Sequence, residues 1–66
     1  MKIKTIKAKY VTRQMIKDAS NNKINFEIDA DDVTYVLYGG MVTKIEGNEV
    51  SLIQGNSFKI CEELSL

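Results

Sequence analysis

Cys61 is the only thiol in the chain, and no histidine accompanies it. Nucleophilic catalysis therefore lacks its usual base, and a Cys/His zinc site is excluded. Without that base, Cys61 reads as a small buried residue. The run Asp29-Ala30-Asp31-Asp32 raises the question of a cation site. An EF-hand loop starting at Asp29 would need glycine at its sixth place and glutamate at its twelfth, which hold Thr34 and Gly40. The acids read instead as a turn or a helix cap. The pairs Glu46/Glu49 and Glu62/Glu63 read as solvated charge beside a turn and near the end of the sequence. No glycine-rich phosphate loop is present. The expectation is a protein with no enzymatic activity, no cofactor and no metal.

Charge is the sharpest global feature. The net formal charge is zero. Residues 1–17 carry Lys2, Lys4, Lys7, Lys9, Arg13 and Lys17 with no acid, and every acid lies beyond them. Together with Tyr10, these six cations form the candidate nucleic-acid contact, since single-strand binders combine cationic tracks with stacking aromatics. Lys2 and Lys4 fall on one face of an extended segment and Lys7 and Lys9 on the other, which divides the patch. Zero net charge also argues against nucleic acid as the main partner.

A chain of 66 residues holds one small domain and buries only about 60% of its unfolded surface. With one cysteine no internal disulfide can add stability, so self-association is expected to do so. The 44% apolar and 27% charged content is that of a globular protein. No apolar run is long enough to span a membrane, and the lysine-rich start lacks the apolar core of a signal peptide. A lone cysteine fits a reducing, cytoplasmic setting. Lysine, isoleucine and asparagine supply 21 of the 66 residues, which fits an AT-rich bacterial or phage genome.

The elements that would position these residues follow from an eight-residue period. Leu37–Lys44, Ile45–Leu52 and Ile53–Ile60 each start apolar, with glycine third and glycine or asparagine fourth. Six residues of strand and a two-residue turn make eight, and such turns need the positive φ that Gly and Asn tolerate. Strands are predicted at 33–38, 41–46, 49–54 and 57–61. Alternation adds strands over 23–28 and 2–10, the latter with a bulge near Thr5. Thr12 caps a short helix over 12–20, with Met15, Ile16 and Ala19 on one side. Residues 29–40 also scan as a helix, but the β-branched and aromatic run Val33–Tyr38 favours strand. The stretch Gly40–Ile53 resembles the hairpins of SH3-like and OB-like small barrels, a likeness that carries no functional residue. The expected fold is mostly β, a small α+β domain. Its antiparallel meander has five or six short strands, open to coiling into a small barrel, with one helix near 12–20.

Both sheet faces come out apolar. One carries Val36, Tyr38, Met41, Ile45, Val50, Leu52 and Cys61. The other carries Val33, Tyr35, Leu37 and Val42 on one side and Ile53, Phe58 and Ile60 on the other. A solvated face would be polar throughout, so the helix or a second subunit must cover each. The expected function is non-catalytic: a protein–protein interaction module, regulatory or inhibitory, acting as a dimer or higher homo-oligomer. Val33, Tyr35, Leu37 and Val42 are the expected contact.

Overall fold

The computed structural model describes residues 3–53 and 59–66. Strand β1 is Lys4–Lys7, followed by a 3₁₀ turn at Ala8–Tyr10 and helix α1 at Arg13–Ser20. Strands β2 (Phe26–Ala30), β3 (Val33–Tyr38), β4 (Met41–Glu46) and β5 (Glu49–Ile53) come next. A single turn of helix, α2, covers Ile60–Glu63. The fold is a small, mostly-β α+β arrangement around one five-stranded sheet of order β1-β2-β3-β4-β5.

The meander forms where the period places it. Residues β2 to β5 pair antiparallel, with Phe26 opposite Leu37, Leu37 opposite Val42, and Val42 opposite Ile53. The β3–β4 turn has positive φ at both Gly39 and Gly40, 61° and 79°, the sign pattern of a type I′ turn. At the β4–β5 turn Gly47 alone is positive, at 62°, as a type II′ turn requires. Asp31 takes the same role between β2 and β3 at φ 61°, and its amide donates to Asp29 Oδ1 at 3.2 Å. That local bond explains why the 29–32 acids open a hairpin and not a helix.

Four expectations are corrected. First, β1 runs parallel to β2, with Ile6 opposite Ile28, so the sheet is mixed. Parallel pairing needs a crossover, and α1 lies within it. Second, β1 stops at Lys7 with a continuous register and no bulge; the segment to Tyr10 coils into the 3₁₀ turn. Likewise β2 starts at Phe26, leaving Ile24 exposed ahead of it. Third, the strand expected over 57–61 gives way at its described end to α2. Ile60, Cys61 and Leu64 recur at helical spacing, and all three pack in the core region. Fourth, the sheet is open, since β1 and β5 have no pairing with each other.

Helix α1 starts where Thr12 predicts: the Thr12 hydroxyl accepts from the Met15 amide at 3.2 Å. Its Ile16 and Ala19 face inward and are buried. Both helices cover the same side of the sheet. Phe26, Ile28, Tyr35, Leu37 and Val42 from the strands meet Val11, Ile16, Ala19, Ile60 and Cys61 there. Arg13 Nη1 donates to the Leu66 carbonyl oxygen at 2.9 Å, tying α1 to the segment after α2.

Candidate functional site

The face of the sheet turned away from the helices has no cover among the described residues. Strand parity puts Val36 and Tyr38 of β3, Met41 and Ile45 of β4, and Val50 and Leu52 of β5 on it. Tyr38, Met41, Val50 and Leu52 are 49%, 56%, 67% and 52% exposed. Val36 and Ile45 are half-buried between them. Thr43 sits in the middle, with Val36 on one side and Leu52 on the other. The register also puts Glu27 and Asp29 of β2 and Lys7 of β1 on this face, at the margin of the apolar group. The whole makes a contiguous apolar field with a charged border.

The contact set expected from sequence lies on the opposite face. Tyr35, Leu37 and Val42 are core residues at 4%, 1% and 0% exposure, and Val33 is half-buried against them. They are therefore not a binding surface. The sequence grouped each face correctly by alternation, except for Cys61, which α2 carries into the core. Nothing in a period of two says which face the helices cover. That depends on where α1 lands, and the β1–α1–β2 crossover fixes it.

Beneath the sheet, three polar side chains pin α2. Tyr35 Oη donates to Glu63 Oε1 at 3.3 Å, and Lys44 Nζ donates to the same oxygen at 3.1 Å. Burial pushes the Tyr35 phenol above its ordinary pKa, and the Glu63 charge adds to the rise. The Glu63 hydrogen bond and charge raise Lys44 likewise. The Cys61 thiol is also raised by burial, against the opposing pull of Arg13. Glu63 was expected to be solvated charge. It is a tether instead, 28 positions from Tyr35, with no local signal to reveal it.

The candidate nucleic-acid residues are dispersed. Lys2 lies outside the described residues. Lys4 and Lys7 sit on edge strand β1 with an even-odd offset, so they point to opposite faces. Lys9 Nζ stands 5.2 Å from the centre of the Tyr10 ring, which is 64% exposed. Arg13 is engaged with Leu66, and Lys17 lies on α1. Lys7 and Lys9 do come together, in a cleft of about 350 Å³ at the end of the parallel pair. They share it with Asp29 and Asp31, so its lining holds acids and bases in equal number.

Among the described residues, no group of three or more acidic, histidine or cysteine side chains is placed to hold a metal ion. No described helix is long and apolar enough to cross a membrane. No protein-family model matches the chain, and no curated protein or solved structure matches it either.

Proposed function

We propose that the protein is a non-catalytic protein–protein interaction module that works as a homo-oligomer and makes its contacts through the outer sheet face. The observation that carries this is the field of Tyr38, Met41, Val50 and Leu52, each about half or more exposed on a sheet whose other face is fully packed. Scattered surface apolar residues need no explanation, but a contiguous group bordered by charge marks an interaction surface. Fully burying one such side chain stabilises by about 1.5–3 kcal/mol, so half-exposed ones gain roughly 1 kcal/mol each on being covered. Two copies together gain about 8 kcal/mol in this way. Association costs about 4–15 kcal/mol in lost freedom, so the assembly is reversible and depends on concentration.

Sedimentation equilibrium over a wide concentration range tests this. A mass rising from 7.5 kDa to a fixed multiple is the expected result. A single 7.5 kDa species at several hundred micromolar would remove the homo-oligomer.

One observation favours a second reading, single-stranded nucleic-acid binding: Tyr10 is exposed with Lys9 beside its ring. On that reading the affinity for labelled oligonucleotides falls by roughly 0.7 log units per log unit of salt for each phosphate neutralised. Tyr10→Ala then costs about 1–3 kcal/mol of binding. No binding at low salt with tens of micromolar protein rules it out. The mixed-charge cleft and the engaged Arg13 make the protein-contact reading the stronger one.

A further inference from the structure

We infer that the occupant of the outer sheet face is a second copy of the same chain, packed face to face about a two-fold axis that passes near Thr43. This deepens the interaction-module reading and rests on it.

Three observations single out a second copy. The first is area. The molecule exposes 4631 Å² and its extents are nearly equal, 28 × 25 × 22 Å. One side therefore presents about 770 Å², close to the roughly 800 Å² per partner of a standard specific interface. A copy of this size covers the face, and the face is large enough to hold it.

The second is the layout of the patch. A two-fold contact is isologous, so the patch must complement itself. Thr43 occupies the middle, and it is small and uncharged. The exposed apolar residues surround it on β3, β4 and β5. An axis there sets apolar on apolar. Glu27, Asp29 and Lys7, on β1 and β2, then fall at the rim, where charges stay hydrated. Aligned sheets at about 30° would give a sandwich of two five-stranded layers, each closed on its far side by its own helices.

The third is charge. Copies with zero net charge meet without long-range repulsion, whereas a chain of high net charge resists self-association.

The test uses the full chain and two single variants. Thr43→Arg places a charge at the centre of the contact, on a face that takes no part in the core. Wild type should sediment at twice 7.5 kDa at several hundred micromolar, and Thr43→Arg at 7.5 kDa with an unchanged circular dichroism spectrum. Thr43→Cys gives a readout that does not depend on tolerating arginine. Its thiol should react with iodoacetamide at least tenfold more slowly at concentrations where the dimer forms than at high dilution. A cysteine at Lys23, exposed in the α1–β2 connection, should react at the same rate throughout. Cys61 is 3% exposed and does not compete. If wild type is dimeric but the Thr43→Cys thiol stays fully reactive, the copies meet elsewhere, at the β5 edge for example. The face-to-face arrangement is then wrong while the oligomeric module stands. A monomeric wild type at every concentration overturns both.

Discussion

Leu37 and Leu52 are the same residue on opposite faces of one sheet, and truncating each to alanine measures how far the two faces differ. Leu37 is 1% exposed, on central strand β3 between Phe26 and Val42. Leu52 is 52% exposed on β5. Leu37→Ala loses the transfer free energy of the removed carbons and leaves a cavity, about 3–5 kcal/mol in total. Leu52→Ala loses roughly half the transfer term and leaves no cavity, because water already reaches the site, for about 1 kcal/mol. A chain of this length has a total stability of about 3–10 kcal/mol, so Leu37→Ala stands near the threshold of folding while Leu52→Ala folds. Urea titration followed by circular dichroism, at low micromolar protein to keep association out, reads both. With a slope near 1 kcal/mol/M, the Leu37→Ala midpoint should fall by about 3 M or more and the Leu52→Ala midpoint by about 1 M. Equal losses, or a larger one for Leu52→Ala, would refute the assignment of inner and outer faces and with it the proposed contact.

Two further outcomes follow from the helices. The folded-state pKa values of Tyr35, Lys44 and Cys61 all lie above their ordinary values, so the folded chain holds protons that the unfolded chain releases. Their contribution is complete below about pH 8 and is lost as pH rises through the folded values, so urea midpoints should fall from about pH 9 upward. Glu63→Gln should flatten that fall, and a flat wild-type profile to pH 11 would contradict the tether. Thr12→Ala removes the acceptor for the Met15 amide and should cost about 1 kcal/mol, whereas Thr12→Ser should cost almost nothing. Equal losses for the two would show that the cap contributes little.

The hairpins were legible because each rests on local chemistry: glycines where φ must be positive, and apolar alternation over five or six residues. Thr12 announced α1 for the same reason. What escaped was set by contacts distant in sequence. Residues 57–61 alternate like a strand, but Ile60 and Cys61 are drawn under the sheet as helix by the core that Phe26 and Leu37 build. The direction of β1 is invisible in its own residues, since lysine–isoleucine alternation suits parallel and antiparallel partners alike. The contact site was half legible. The six apolar residues of the outer face were grouped together, yet Val33, Tyr35, Leu37 and Val42 were preferred. Parity distinguishes two faces without saying which one the helices occupy. Of the polar tether nothing could be read, because Tyr35, Lys44 and Glu63 belong to three separate elements.

The parallel pairing of β1 with β2 also orders the assembly of the chain in time. Strands β2 to β5 zip through two-residue turns, so each pairing closes almost no loop. Lys4 meets Phe26 only across 22 intervening steps of chain, which must first be shaped into the 3₁₀ turn and α1. Loop-closure entropy makes such a pairing slow to form, and its place at the edge, held on one side only, makes it the first to open. The meander is thus the nucleus on which the rest condenses, and β1 is its last addition. Transient release of β1 would bare the backbone of β2, turning a protected inner strand into a new edge and giving this small protein a route to strand exchange between copies.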